Sequence, residues 1–324
     1  MEATTLTFSD LVASGLAAVE ARMRQATPAD HPELDAALDQ LLGSRGKRLR
    51  PTLVLLTAGL LGADYARTVD LAGAIELLHT ATLVHDDLID GSLLRRGSPT
   101  LNARWEGGAT VLIGDYLFAR AAELAAATQS LTCMESFART LTTIVQGELH
   151  QLLGSSSTNL RTAYFERVYA KTGSLFELAA VAPAQLAGTS IVTQGRLREF
   201  GRSLGIAFQI VDDVLDFTGQ AEEVGKPVAS DLRNRLVTLP TLCHLEQNPA
   251  DAEKVGLLLR GALSNQAQDR LIEAIRSSGA VAAARAEAEA YIDACLALLG
   301  ELPSDRPEHQ ALGDLANYVL QRTL

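Results

Sequence analysis

Apolar residues recur at helical spacing along almost the whole chain, which has 324 residues. This periodicity predicts helices at about 8–24, 33–42, 50–62, 66–90, 109–127, 131–153, 161–188, 193–217, 232–247, 251–264, 267–278, 280–299 and 308–322. Gly- and Ser-rich clusters such as Gly154-Ser155-Ser156-Ser157 separate the segments, and no alternating strand pattern rises above them. The fold class is therefore predicted to be all-α. Because no composition shift marks a linker, one domain over residues 1–324 is expected.

Two acidic strings of the form Asp-Asp-x-x-Asp each close an apolar segment. The first contains Asp86, Asp87 and Asp90, and the second contains Asp212, Asp213 and Asp216. The first and last positions of each string share one helix face, and like charges at about 4 Å repel by roughly 4 kcal/mol at an effective dielectric near 20. A hard divalent cation offsets such repulsion. One copy alone is more typical of a solvated helix end, whereas two copies predict a cavity that holds Mg²⁺ between facing helices.

Cationic and polar side chains stand where an anionic ligand needs them. Gly46-Lys47-Arg48-Leu49-Arg50-Pro51 opens a helix, where backbone N–H groups bind anions. Arg95-Arg96 follows the first acidic string, Lys171-Thr172 lies in an apolar segment, and Gln209 shares a helix face with Asp212. A solvated basic loop and a simple ion pair remain the alternatives for the first two.

A histidine in the same region fits a second metal pattern only in part. Glu76 and His79 spell the Glu-x-x-His of di-iron helical bundles, but that architecture needs a second such pair and the sequence has none. A lone histidine of this kind is more typical of a satisfied core or rim residue.

Charge and cysteine content exclude several classes of protein. The formal charge of −11 argues against nucleic-acid binding and against docking on anionic lipid. Cys133, Cys243 and Cys295 are too widely spaced for a disulfide framework or a zinc site. The N-terminal residues lack a signal-peptide pattern, and no run of about 18 apolar residues predicts a membrane span. A soluble, cytoplasmic protein is expected.

The chain resembles the trans-polyprenyl diphosphate synthases of the all-α isoprenoid synthase family. The similar stretches run in the family's order over most of the chain: 46–51, 79–87, Arg95-Arg96-Gly97, Gly114-Asp115-Tyr116-Leu117, Lys171-Thr172, 208–213, Gly225-Lys226-Pro227, Thr238-Leu239-Pro240 and 312–319. The resemblance implies one large helical bundle around a central apolar cavity, and a homodimer with the helix near 109–127 at its interface. It implies condensation of isopentenyl diphosphate, head-to-tail (1′-4), with an allylic diphosphate through Mg²⁺-assisted ionisation.

The family's roles pass to matching positions of this sequence. Asp86, Asp90 and Asp212 would be the most direct ligands of three Mg²⁺ ions, completed by Asp87, Asp213 and Asp216. The allylic diphosphate would be bound by Arg95, Lys171 and Lys226. Isopentenyl diphosphate would be bound by Gly46, Lys47, Arg50, His79 and Arg96. Thr172 and Gln209 would place oxygens near the developing allylic cation.

Two positions depart from the family pattern. Arg45 stands where a first glycine is usual, and Leu236 replaces a lysine that contacts diphosphate. Arg233 or Arg235 is a candidate to compensate for that lysine, and the sequence does not decide between them.

Small residues before the first acidic string predict a long product. Ala81 and Thr82 stand where short-chain enzymes carry aromatic residues, and Leu78 and Ala74 lie one and two turns further back, each turn adding about 5 Å. A product beyond geranylgeranyl diphosphate is expected, unless Leu117-Phe118 closes the tunnel early. The alternatives are a short-chain (farnesyl or geranylgeranyl) synthase, a catalytic or partner subunit of a heteromeric synthase, and a class I terpene cyclase, whose second metal site is usually of Asn/Ser/Glu type.

Overall fold

The computed structural model describes residues 8–43, 46–95, 97–153, 159–219 and 228–322. Its helices are α1 (Phe8–Ala26), α2 (Pro32–Gly43), α3 (Leu49–Leu61), α4 (Tyr65–Ile89), α5 (Gly107–Ala127), α6 (Leu131–Leu153), α7 (Leu160–Val168), α8 (Ser174–Leu186), α9 (Ile191–Thr218), α10 (Ser230–Arg233), α11 (Leu239–Gln247), α12 (Ala252–Leu259), α13 (Asn265–Ser277), α14 (Ala280–Leu299) and α15 (Pro307–Gln321). Short 3₁₀ turns cover Leu101–Ala103 and Pro249–Asp251. The all-α prediction is confirmed, and among the described helices none is long and apolar enough to cross a membrane.

One hairpin adds the only strands of the described residues. Strands β1 (Leu94–Arg95) and β2 (Ser98–Pro99) are antiparallel, with Leu94 opposite Pro99 and Arg95 opposite Ser98. Two residues per strand are too few for a readable alternation, so the sequence pattern missed the pair.

Three of the predicted helices are interrupted or shorter in the structure, although the helical spacing of apolar residues continues through the break. The segment 161–188 is interrupted by a π-helical turn, Tyr169–Gly173, between α7 and α8. The segment 232–247 is divided between α10 and α11, and Arg235 between them has a φ of 64°. The helix predicted over 251–264 ends at Leu259, just before Gly261 with a φ of 69°. Left-handed backbone cannot continue an α-helix, so apolar spacing alone overestimated these two helices.

The chain divides into two compact units, each with its own core. Unit 1 comprises Met1–Thr143, Ser174–Gly201 and Ala297–Leu315, and unit 2 comprises Ile144–Gly173, Arg202–Leu296 and Ala316–Leu324. In unit 1, α4 packs against α1, α3, α5 and α8, and its inner face is fully buried. In unit 2, Tyr164, Phe217 and Ile292 are core residues. The single domain over 1–324 stays a prediction.

A glycine fixes the close packing of α9 on α8 within unit 1. A Cβ added at Gly201 would lie 2.5 Å from the carbonyl oxygen of Phe176 and 2.8 Å from the Cα of Glu177. Backbone atoms cannot move aside cheaply, so Gly201→Ala is expected to destabilise the protein by about 1–3 kcal/mol. The measurement is the free energy of unfolding in urea.

Gly195 provides a matched control in the same helix. Apart from the adjacent backbone of its own helix, no described atom lies within 4 Å of a Cβ built at this exposed position. Because alanine is the better helix former, Gly195→Ala is expected to stabilise the protein by about 0.5–1 kcal/mol. Equal effects of the two substitutions would contradict the steric explanation.

Candidate active site

The first acidic string forms the last turn of α4 in unit 1. Asp87 is 7% exposed, and its Oδ1 accepts hydrogen bonds from Nε and Nη2 of Arg95, both at 2.8 Å. Asp86 is half-buried, and Asp90 is exposed where the helix ends. The β1–β2 hairpin brings Arg95 back onto the helix that precedes it. Of the alternatives for Arg95, the structure contains the ion pair, which keeps this arginine beside the first acidic string.

His85, which the sequence left without a role, lies between α4 and α5. Its Nε2 is 3.2 Å from the carbonyl oxygen of Val111 and 3.6 Å from Oδ1 of Asp115. A Cβ at Gly114 would lie 2.2 Å from the same Nε2. The glycine at 114 therefore lets α5 approach the imidazole, and His85 helps to fix α5 against the acidic end of α4.

Arg48, which the sequence grouped with the other cations of the candidate anion site, anchors the basic loop before α3. Its φ is 46°, and its guanidinium donates to Oε1 of Glu76 at 2.7 Å and to the carbonyl oxygen of Leu42 at 2.6 Å. Glu76 is buried, so this pair explains the acidic residue inside α4. Of the neighbouring basic residues, Lys47 is exposed, and the guanidinium of Arg50 lies 4.8 Å from the Phe176 ring. The only clue in the sequence was a glutamate within an apolar helix.

The second acidic string lies near the end of α9 in unit 2, and each carboxylate has a different partner. Asp212 forms an ion pair with Nη2 of Arg322 at 2.8 Å, and that guanidinium lies 4.0 Å from the Phe208 ring. Asp216 accepts from the hydroxyl of Ser230 at 2.7 Å and from the backbone N–H groups of residues 230 and 231. Asp216 thus also caps the short helix α10.

Asp213, the middle carboxylate of this string, is fully enclosed. It accepts from the Tyr164 hydroxyl at 2.7 Å and from Nε2 of Gln209 at 2.9 Å. Burial raises its pKa to about 7, and the hydrogen bonds from Gln209 and Tyr164 oppose that rise. Each of its two oxygens therefore accepts a hydrogen bond from a protein side chain.

The π-helical turn of unit 2 carries the predicted Lys171 and Thr172 side by side. Nζ of Lys171 lies 2.9 Å from Oε1 of Glu148, and the Thr172 hydroxyl donates to Oε1 of Gln209 at 2.8 Å. A Cβ at Gly147 would lie 2.5 Å from Cβ of Ala170, so α6 approaches the turn closely. Single π turns inside helices are frequent at functional sites. Glu148 is another residue to which the sequence pattern gave no role.

The acidic strings have the chemistry of a hard-cation site, although no ready-made cluster is present. Within the described ranges, no group of three or more His, Cys, Asp or Glu residues is arranged to hold a metal. Asp87 and Asp212 are each neutralised by an arginine, which shows that these positions take a positive partner. Carboxylate oxygens are the ligands that Mg²⁺ and Ca²⁺ prefer. The residues fit such an ion, and the complete ligand set stays a prediction.

Of the remaining predicted residues, some lie within the described part of the chain and some lie outside it. Arg45, Arg96 and Lys226 lie outside the described residues. His79 is half-buried on α4, and its carbonyl oxygen accepts from the Thr82 hydroxyl at 2.7 Å. Gly46 is half-buried in the loop before α3.

The predicted chain-length residues line one stretch of α4. Ala74, Leu78 and Ala81 are fully buried, whereas Thr82 is half-buried. Phe118 of α5, the alternative stopper, stacks at a tilt on His85 with 5.1 Å between the ring centroids.

The two arginines near Leu236 have distinct surroundings. Nη2 of Arg233 lies 2.8 Å from Oδ1 of Asp269, and its Nε donates to the carbonyl oxygen of Val228. Arg235 is exposed and lies against Gly261, where a Cβ would meet its Cζ at 2.7 Å. Which of them replaces the lysine contact stays open.

Comparisons with known proteins agree over most of the chain. A family model described as polyprenyl synthetase matches residues 31–276. Octaprenyl diphosphate synthase of Escherichia coli K12 is 33% identical over 317 residues, covering 97% of this chain and 98% of that protein. Heptaprenyl diphosphate synthase component 2 of Geobacillus stearothermophilus is 37% identical over 310 residues, covering 95% of each.

A solved structure gives the same result for the fold. The crystal structure of a polyprenyl synthase from Caulobacter crescentus CB15, complexed with calcium and isoprenyl diphosphate, is 36% identical and covers 97% of both chains with a TM-score of 0.88. The predicted resemblance is therefore confirmed. The chain belongs to the polyprenyl synthetase family.

Proposed function

We propose that the protein is a trans-polyprenyl diphosphate synthase. It condenses isopentenyl diphosphate head-to-tail with an allylic diphosphate and releases a product longer than geranylgeranyl diphosphate. The observation that carries the proposal is the end-to-end match to relatives described as octaprenyl and heptaprenyl diphosphate synthases, in a chain that keeps both acidic strings intact. A class I terpene cyclase is disfavoured by the same relatives and by the second Asp-Asp-x-x-Asp.

The acidic strings hold the metal in this proposal. Carboxylates of each string would hold Mg²⁺ together with substrate diphosphate, and the bound metal would supply stabilisation of the charge that builds on the departing diphosphate. Asp86, Asp90 and Asp212 are the direct ligands proposed, and three ions are the expected number. Among the remaining carboxylates, Asp87 keeps Arg95 close to the first string, which supports a role for that arginine at the allylic diphosphate.

Cationic residues bind the two substrates in the proposed reaction. Lys171, oriented by Glu148, binds the allylic diphosphate together with Arg95 and Lys226. The loop that Arg48 anchors presents Lys47 and Arg50 to isopentenyl diphosphate, with Gly46, His79 and Arg96 as further contacts. Arginine and lysine suit this task because charge-assisted hydrogen bonds to phosphate are the strong ones.

Polar oxygens and apolar walls stabilise and protect the allylic cation in the proposed reaction. Thr172 and Gln209 place oxygens near the developing allylic cation, and apolar walls exclude the water that would quench it. The isopentenyl double bond forms the new C–C bond as the allylic C–O bond breaks. Released pyrophosphate then takes the proton whose loss restores a double bond.

Elongation of a defined primer tests this function. Purified protein is incubated with isopentenyl diphosphate, Mg²⁺ and farnesyl or geranylgeranyl diphosphate, and the dephosphorylated products are sized by mass spectrometry. We expect a ladder that ends in one long prenyl alcohol. A product that stops at geranylgeranyl would indicate a short-chain synthase, and a cyclic hydrocarbon or alcohol would indicate a cyclase. No product with either primer would contradict the proposal for the isolated chain.

A catalytic subunit of a two-part synthase is the second candidate. The Geobacillus relative is described as component 2, and its identity to this chain is 37%. Activity that appears only when another protein is added would favour this candidate.

We also propose that the chain forms a homodimer in the cytoplasm. The dimer is tested by light scattering, which should give a mass of about twice the 34.5 kDa of one chain.

A further inference from the structure

A continuous chain of hydrogen bonds connects a core tyrosine with the threonine of the π turn. The Tyr164 hydroxyl donates to Oδ2 of Asp213 at 2.7 Å. Nε2 of Gln209 donates to Oδ1 of the same carboxylate at 2.9 Å, and Oε1 of Gln209 accepts from the Thr172 hydroxyl at 2.8 Å. All four residues belong to unit 2. Tyr164 lies outside both acidic strings and outside every stretch that carries the family resemblance.

The donors and acceptors in this chain permit one polarity. In the structure the amide nitrogen of Gln209, which can only donate, faces Oδ1 of Asp213. The amide oxygen then faces Thr172, whose hydroxyl must donate its single proton. Consequently the proton of Thr172 is directed to Gln209, and the oxygen lone pairs remain available to a positive charge. The orientation of the Thr172 hydroxyl is therefore fixed from the carboxylate outward.

Tyr164 is firmly held at the other end of the chain. Its side chain is 1% exposed, and its ring packs edge-on against Phe165 with 5.1 Å between the centroids. The guanidinium of Arg167 lies 5.5 Å from the ring and donates to the carbonyl oxygen of Val237 at 2.7 Å. These contacts hold the Tyr164 hydroxyl in place as a donor to Asp213.

We propose that Tyr164 is a positioning residue for prenyl transfer, which orients the Thr172 hydroxyl through Asp213 and Gln209 so that its oxygen can stabilise the allylic cation. This inference rests on the proposed function. It also gives Asp213, whose two carboxylate oxygens accept from Tyr164 and Gln209, a task in addition to any metal ligation.

Tyr164→Phe removes one oxygen atom and tests the inference. We expect kcat for elongation to fall about 10-fold, since the hydrogen bond to the buried Asp213 is lost, with KM for both diphosphates changed by less than about twofold. Combined with Thr172→Val, the tyrosine substitution should have no further effect, because the group that it orients is gone. Tyr291→Phe is the matched control. Tyr291 lies in the same unit, 6.3 Å from the Phe165 ring, and its effect should be independent of Thr172.

The outcomes separate the inference from the proposed function. Suppose that the wild-type protein elongates. If Tyr164→Phe then leaves kcat unchanged, or if its full effect adds to that of Thr172→Val, the inference is overturned and the proposed function stands. Wild-type protein that elongates nothing would overturn the proposed function instead. If Tyr164→Phe does not fold, Asp213→Asn replaces it, since its amide nitrogen cannot accept and Gln209 can then reverse, and an unchanged Mg²⁺ titration distinguishes lost orientation from a lost metal ligand. For Asp213→Asn we expect the same loss in kcat and no further loss when it is combined with Thr172→Val. If the losses of the two substitutions add, the orienting role is refuted.

Discussion

Asp212→Asn is expected to lower kcat for elongation by at least about 100-fold, the largest effect of any single substitution considered. The substitution removes one negative charge from the second acidic string while keeping the size of the side chain. In the structure this carboxylate already holds a cationic group, Nη2 of Arg322 at 2.8 Å. If a metal ion takes that place when diphosphate binds, the neutral amide will bind it far more weakly. Steady-state rates over a range of Mg²⁺ concentrations, together with calorimetric titration of Mg²⁺ and pyrophosphate, measure both effects.

Two further measurements guard against a purely structural explanation for Asp212. Arg322 is largely buried, so its loss of a partner could destabilise unit 2, and the thermal midpoint is recorded for every variant. Asp293→Asn is the control, since Asp293 is an exposed aspartate of the same unit outside both strings. It should leave rate and metal binding unchanged. An active Asp212→Asn protein with normal Mg²⁺ affinity would remove Asp212 from the proposed ligands.

Ala81→Phe is expected to shorten the final product by at least one isoprene unit. Ala81 is fully buried on α4, four residues before His85 and five before Asp86. If this face forms the tunnel wall, an aromatic ring there blocks the growing chain about one helical turn, or about 5 Å, from the first acidic string. Mass spectrometry of the dephosphorylated products measures the change. Total turnover should fall much less than the product length, because the acidic strings are untouched.

The opposite side of the same helix provides the control for Ala81. Ala72 is also fully buried, and nine residues of α-helix place it about 180° around α4 from Ala81. Ala72→Phe carries a similar overpacking cost of about 1–3 kcal/mol but should leave product length unchanged. If Ala81→Phe folds and makes the wild-type product, the wall lies elsewhere, and Phe118 becomes the residue to substitute next.

The helical class and most helix ends were predictable because they depend on local pattern. The segment predicted at 66–90 is α4 (Tyr65–Ile89), and the one predicted at 131–153 is α6 (Leu131–Leu153). Side chains three and four residues apart share a face in any helix, so spacing alone predicts that the first and last aspartates of each acidic string lie on one helix face. Their joint action on one set of metal ions is a proposal, since the strings belong to different units.

The interruptions of predicted helices depended on contacts that spacing does not reveal. In the π turn at Tyr169–Gly173, two side chains form hydrogen bonds with residues distant in sequence: Lys171 with Glu148 and Thr172 with Gln209. Such a turn inserts one residue into the helical ladder, and a periodicity of 3.6 averages across it. The sequence therefore predicted one helix where unit 2 has a turn that presents two polar side chains together.

By itself, the sequence determined the helical class, the family, the two acidic strings and the small residues that precede the first of them. These features are local or are carried by motif order, and so they can be read along the chain. The tertiary structure decided which charged and polar groups meet: Arg48 with Glu76, Arg95 with Asp87, Tyr164 with Asp213 and Arg322 with Asp212. A buried polar group requires a partner, but any of several distant residues satisfies that requirement equally well in a sequence. Only the packed chain selects one, because burial and hydrogen-bond geometry must be satisfied at the same place.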